Sequence, residues 1–315
     1  MDIKTLEQKI AIVTGGARGI GKAIAENLAK EGCNVIIIDP GYSIDGNHDD
    51  AHIAERIAED ISNKYNIDTL AITKDVSVER DIIKSMEVIL SKFNSIDIVV
   101  NNAAILRDGL IFKSSLEDWK KVIDINLTGA YNLIAHTSKI IKEQSKKDSN
   151  YNSGRIINII STAGIWGNFG QAAYASAKSG LIGLTRVAAL DLQRTGITCN
   201  AIAPFASTRV TKSINPQNES QKKYKKAALK IEAKYVGDLS SFLASEIGKK
   251  YSGQIFGVRA KEVFLFNQAR PIYNFIRKNS KSNKDLEEGF RNNFDNNLTT
   301  LETDLAAFST DPIID

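Results

Sequence analysis

The chain has 315 residues, 43% of them hydrophobic and 25% charged, enough for one large domain or two small ones with a sizeable core. The 41 basic and 37 acidic side chains leave a net charge of only +4, which gives no electrostatic footprint for nucleic acid or an anionic membrane as the main partner. No run of 18 apolar residues exists, so no membrane span is expected. The polar start MDIKTLEQK lacks the apolar centre of a secretory leader, and a cytoplasmic location is expected. Cys33 and Cys199 fall in apolar stretches and read as reduced core residues, not a disulfide. No residue is assigned to a metal.

In chain order, KIAIVT (Lys9–Thr14) reads as a buried strand and Ile20–Glu31 as the helix after it. NVIIID (Asn34–Asp39) is the second strand, followed by the loop PGYSIDGNHDD and a helix around Ala51–Tyr65. A short strand near Thr69–Thr73 precedes a helix at Val78–Phe93, and IDIVVNN (Ile96–Asn102) is the next apolar strand. Ser115, with Asp118 three residues on, is the N-cap predicted for a long helix. RIINIIS (Arg155–Ser161), ITCNAIAP (Ile197–Pro204) and GQIFGV (Gly253–Val258) complete about seven strands. KKDSNYNSG (Lys146–Gly154) is a polar surface loop. Strands apolar on both faces that alternate with helices predict a parallel sheet covered on both sides, with right-handed crossovers. Beyond Val258 the chain turns rich in Asn and Lys with scattered aromatics. Residues 1–258 are therefore taken as the main domain and 259–315 as an extension, docked on the core or on a neighbouring subunit through Phe264, Phe266 and Tyr273.

TGGARGIG (Thr14–Gly21) closes the first strand and opens the first helix. Gly15, Gly19 and Gly21 let the backbone turn sharply and let a pyrophosphate approach, and the helix start offers free N–H groups to it. A ligand-free strand-to-helix turn has the same composition. Asp39 ends the second strand 18 residues after Gly21, close to the spacing of a carboxylate that accepts from both ribose hydroxyls. It would repel a 2′-phosphate, which favours NAD over NADP. Arg18, in the same turn, pulls the other way.

Tyr174 and Lys178 lie four residues apart in GQAAYASAKSGLIGL (Gly170–Leu184). Such a pair ordinarily decorates a solvated helix face. A phenol titrates at about pH 10, too high for acid–base work near neutrality, and an ammonium one turn away lowers that value. Ser161 ends a strand 13 residues earlier, where its hydroxyl can orient a substrate oxygen.

The glycine pattern, NNAA (Asn101–Ala104), Ser161 and Tyr174-x-x-x-Lys178, in this order and spacing, resemble the short-chain dehydrogenase/reductase family over about residues 7–258. The resemblance implies a Rossmann-type doubly wound α/β sheet and hydride transfer between an alcohol carbon and a nicotinamide. Asn126, Ser161, Tyr174 and Lys178 are the catalytic set it implies, with Lys178 also on the nicotinamide ribose and Asn126 holding a water that links Lys178 to solvent. Gly15, Arg18, Gly19, Ile20, Gly21, Asp39, Asp75, Val76, Asn102, Ala103, Tyr174, Lys178 and Pro204 are its dinucleotide contacts, Asp75 at the adenine. Asp75 alone also reads as a loop cap. Ala104 replaces the usual glycine, and APFAS replaces the commoner PG after the sixth strand, so Phe205 bears on the shape of the nicotinamide pocket. A homodimer or homotetramer is what the family implies.

DPGYSIDG, NNAAILRDGLIFKSSLEDW and GIWGNFGQAAYASAKSGLIGL are most similar to the (3R)-hydroxyacyl-CoA dehydrogenase part of peroxisomal multifunctional enzyme type 2. That resemblance implies oxidation of a (3R)-hydroxyacyl-CoA with NAD. A 3-oxoacyl-acyl-carrier-protein reductase and a dehydrogenase of steroids or aromatic alcohols are the alternatives. The segment from Ser207 to about Lys230 is the expected substrate loop. Its basic run QKKYKKAALK is either a solvated face or a contact for CoA phosphates or an acidic carrier. A dinucleotide-binding protein that has lost its chemistry is the rival class, against which the four intact catalytic positions argue.

Overall fold

The computed structural model describes residues 6–148, 151, 154–208, 211, 219–277, 283–307 and 311–314. Residues 209–210 and 212–218 of the expected substrate loop, and 149–150 and 152–153 of the polar loop, lie outside the described residues.

The strands are β1 (Ile10–Thr14), β2 (Asn34–Ile38), β3 (Thr69–Ile72), β4 (Ile98–Asn101), β5 (Arg155–Ile159), β6 (Thr198–Phe205), β7 (Ile255–Arg259) and β8 (Glu262–Phe266). They form one sheet in the order β3-β2-β1-β4-β5-β6-β7-β8. Every pairing is parallel except β7 with β8, which runs antiparallel from Ile255 opposite Phe266 to Arg259 opposite Glu262. The strands read as continuous apolar runs because both faces are covered. Ala11, Val13, Val35, Ile37, Val100 and Ile157 enter one core, whereas Ile10, Ile12, Ile36, Ile38, Val99 and Ile156 enter the other. Each fully buried isoleucine is worth about 1.5–3 kcal/mol, so an unpaired polar residue in place of Ile12 or Ile37 would be costly on either face. Cys33 and Cys199 are buried free thiols.

Helices α1 (Gly19–Lys30), α2 (Ile53–Tyr65), α3 (Glu79–Phe93), α4 (Leu116–Ile123), α5 (Gly129–Lys147), α6 (Ala163–Trp166) and α7 (Ala172–Asp191) connect the strands. No described helix is long and apolar enough to cross a membrane. The long helix predicted from Ser115 is interrupted by a π-helical stretch, Asp124–Thr128, between α4 and α5. The Ser115 hydroxyl does cap it, accepting the Asp118 N–H at 3.0 Å.

The eighth strand differs from the reading of about seven. EVFLF alternates: Val263 and Leu265 are exposed, while Phe264 and Phe266 are half-buried. The sheet therefore continues past Val258 into the segment taken as the extension. Farther along, Phe275, Phe290 and Phe294 pack on one another, and Tyr273 is 49% exposed.

Candidate active site

The order of strands reverses between β1 and β4, where β1 lies between β2 and β4. Loops leaving the two strands diverge there and leave a crevice at their carboxyl ends. The glycine turn fills its floor. Gly15 (φ +60°) and Gly19 (φ +52°) adopt left-handed backbone. A Cβ at Gly21 would run into the Gly15 carbonyl oxygen, so only glycine lets α1 start this close to β1. A Cβ at Gly19 would instead meet nothing nearer than the Thr208 methyl at 3.9 Å. This open side faces the cavity. No side chain caps α1, which leaves its first N–H groups for an anion. These features fit a pyrophosphate.

Thr14 and Asn102 lace the two strand ends together. The Thr14 hydroxyl oxygen accepts the N–H groups of Asn102 and Ala103 at 3.0 and 3.1 Å. The Asn102 amide donates back to the carbonyls of Thr14 and Gly15. Asn102 thus holds the glycine turn in shape. The sequence reading did not assign Thr14 a role; its place at the head of TGGARGIG was the available signal.

Asp39 lies just past β2. Its carboxylate accepts the Ala17 N–H at 3.1 Å and the Gly41 N–H at 2.9 Å, with lone pairs left for hydroxyl donors. Arg18 donates to the Tyr42 carbonyl at 3.0 Å and pairs with Asp49 at 2.8 Å. Its charge is thereby already committed. Asp75 takes the N–H and hydroxyl of Ser77 on one oxygen and the Tyr42 hydroxyl, at 3.0 Å, on the other. Burial and this carboxylate push the Tyr42 phenol up to about 12. Val76 is buried under Gly129, and its carbonyl accepts from Asn132.

One cavity is lined by Gly15, Arg18, Gly19, Ile20, Asp39, Asp75, Val76, Asn102, Ala103, Tyr174, Lys178 and Pro204, together with Tyr42, Ile44 and Thr208. Gly21, Asn126 and Ser161 lie outside that lining. Gly21 abuts Gly15 and Asn126 bonds Ile105, both residues of that lining. Ser161 follows the lining residues Ile159 and Ile160, and its Oγ accepts the Ala163 N–H at 3.2 Å.

Lys178 is 2% exposed and donates to the Ile159 carbonyl at 2.7 Å. Its Nζ stands 5.7 Å from the centre of the Tyr174 ring, where helical spacing puts it. Burial pushes the ammonium down to about 7, so the charge expected to tune Tyr174 is itself in balance near neutrality. Asn126 sits in the π stretch, the kind of helical irregularity that gathers at functional sites. Both ends of its amide clamp Ile105, accepting its N–H at 2.8 Å and donating to its carbonyl at 3.0 Å. The side chain so engaged fixes the backbone of Ile105, a residue of the cavity wall. Phe205 turns away from the cavity and packs with Ile231 and Ala260, whereas Ala104 lines it.

The short chain dehydrogenase family matches the sequence over residues 9–219. The chain belongs to the short-chain dehydrogenase family. This short-chain dehydrogenase is accordingly an oxidoreductase acting on a CH–OH or keto group. It is 38% identical to a 3-oxoacyl-[acyl-carrier-protein] reductase of Synechocystis over 255 residues, covering 80% of this chain and 96% of that one. It is also 38% identical to a protein of the same name from Aquifex aeolicus over 264 residues, 82% and 98% of the two chains. A solved short chain dehydrogenase from Mycobacterium avium superposes with a TM-score of 0.77 at 27% identity, covering 91% of this chain and 94% of its own. The resemblance to the multifunctional-enzyme dehydrogenase drawn from three loops finds no counterpart in these names, which point to the alternative.

Proposed function

We propose that this short-chain dehydrogenase reduces a 3-oxoacyl thioester to the 3-hydroxyacyl thioester, the acyl group riding on an acyl carrier protein. The relatives' names support the substrate. The observation that carries the chemistry is a single cavity holding the glycine turn, Asp39, Tyr174 and Lys178. A bound nicotinamide dinucleotide supplies the hydride. The chain handles the oxygen: the Ser161 hydroxyl orients the carbonyl, and the Tyr174 hydroxyl gives it a proton as the carbon is reduced. Lys178 replaces that proton and keeps the phenolate from persisting, a role suited to a group that titrates at about 7. Asn126 fixes the Ile105 backbone along the wall, and a water held beside it would bring the next proton from solvent to Lys178.

Asp39 supports a second reading, oxidation of a (3R)-hydroxyacyl-CoA with NAD. Its carboxylate lines the cavity and would repel a 2′-phosphate, and Arg18 is already paired with Asp49. The two readings are one reaction in opposite directions on different carriers. We further propose a homodimer or homotetramer, supported by the exposed apolar side chains Tyr131, Val187 and Leu190 on α5 and α7. In this reading the dinucleotide domain runs past the expected boundary at Val258 to take in β8, with the residues after Phe266 appended.

The test follows reduced-nicotinamide absorbance with acetoacetyl thioesters of carrier protein and of CoA, each with NADPH and NADH, and with (3R)- and (3S)-hydroxyacyl-CoA in the reverse direction. Turnover of the carrier thioester, lost in Tyr174→Phe with dinucleotide binding intact, supports the proposal. Turnover confined to (3R)-hydroxyacyl-CoA with NAD selects the second reading. Silence with every thioester removes both.

A further inference from the structure

The segment Gly41–Asp50 is tied down at both ends and in the middle. Gly41 (φ +76°) approaches Asp50 so closely that a Cβ there would collide with the Asp50 carbonyl. The Gly41 carbonyl accepts the N–H groups of Asp49 and Asp50. The ends of the loop therefore meet. Tyr42 and His48 bridge across it, their rings edge to face at 4.9 Å, and a turn at Ser43–Asn47 closes its tip.

The tip crosses the crevice and fastens to the far wall. The Leu106 N–H donates to the Ile44 carbonyl at 2.8 Å. Arg107 donates from Nε to the Asp45 carbonyl at 2.8 Å and from Nη1 to Asp118 at 2.9 Å. Asp118 is held in turn by the Ser115 cap. Gly46 (φ +85°) lies against Ile105, where a Cβ would come within 2.9 Å of Cδ1. On the near side Arg18 grips Tyr42 and Asp49. Pro40, Tyr42, Ser43 and Ile44 line the same cavity as Gly15, Gly19 and Asp39. The loop is thus a strap from the end of β2 to the start of α4.

Resting on the dinucleotide reading above, we propose that this strap gates the cofactor and that Arg107 is the positioning residue that latches it, setting how fast the dinucleotide enters and leaves. The latch bonds run from protein to protein. They weigh equally on the free and loaded forms, so loosening them speeds passage both ways and leaves affinity nearly unchanged. A residue that merely held the ligand would change the off-rate alone.

Stopped-flow fluorescence on the full chain tests this, following NADH binding and its displacement by excess NAD. Arg107→Ala removes the latch from one side, and Gly46→Ala pushes the tip off Ile105 from the other. Each variant is expected to raise the on-rate and off-rate together by about tenfold, the weight of one hydrogen bond to a charged group, with Kd within about twofold. Unchanged rates in both variants, or a rise in the off-rate alone, overturn the strap. If the wild-type chain binds NADH poorly the same series is run with NADPH. Failure of the wild type to bind either dinucleotide overturns the cofactor reading itself, a result distinct from wild-type binding with unaltered variant rates.

Discussion

Lys178 offers a test of the active-site electrostatics that needs no substrate. Burial holds its ammonium down at about 7, against an unfolded value of about 10.5. Between those two values the unfolded chain binds a proton that the native chain does not. Stability therefore rises with pH across this window, and the penalty is greatest below pH 7. Worked from the two pKa values, the cost is about 4 kcal/mol at pH 7 and about 1 kcal/mol at pH 10. The assay is urea unfolding of the wild type and Lys178→Met at each pH unit from 7 to 10. Cys33 and Cys199 are also pushed up by burial and act in the opposite sense, since unfolded thiols ionise above about pH 8. They are common to both proteins and cancel in the difference. The wild type should gain about 3 kcal/mol on the variant between pH 7 and 10. A difference flat to within about 0.5 kcal/mol would mean a lysine charged throughout, and the proton balance assigned to Lys178 would fall.

Two other outcomes follow from single contacts. Asn126→Ala strands the buried N–H and carbonyl of Ile105 and should cost about 2–4 kcal/mol in denaturant unfolding; a loss under about 0.5 kcal/mol would show that water replaces the clamp. Asp49→Ala removes the shorter of the two carboxylate contacts of Arg18, which keeps the Tyr42 carbonyl and Asp50 at 4.0 Å, and should shift the ratio of KM values for NADPH and NADH toward NADPH by up to about fivefold, the worth of a partly exposed ion pair. An unchanged ratio would show that the Asp49 pair does not withhold Arg18 from a 2′-phosphate.

What the sequence made legible was set by locality. β1, β2 and β5 are short apolar runs with helices on either side, and the glycine turn, Asp39, Tyr174 and Lys178 are fixed by spacing along one strand or helix. The cavity does bring them together. What escaped depends on partners distant in the chain. Nothing near Asn126 announces that its amide clamps Ile105. Tyr42 looks like a loop residue until Asp75 is seen to accept its hydroxyl. Phe205 faces Ile231, not the cavity. β8 was missed because its alternation of Val263 and Leu265 with Phe264 and Phe266 is that of an antiparallel edge, and the preceding strands taught a pattern of unbroken apolar runs. The burial that depresses Lys178 is likewise a property of the packed α6 and α7, where a Cβ on Gly164 would overlap Lys178.

Because Gly41 and Asp50 touch, the strap enters and leaves the fold at one point. Its length is decoupled from the separation of β2 and α2. Residues can be added to it, removed from it or exchanged wholesale at little cost in chain entropy and without moving Asp39. Cofactor exchange can in this way be retuned as a module, by splicing at that point, on a catalytic frame left as it stands.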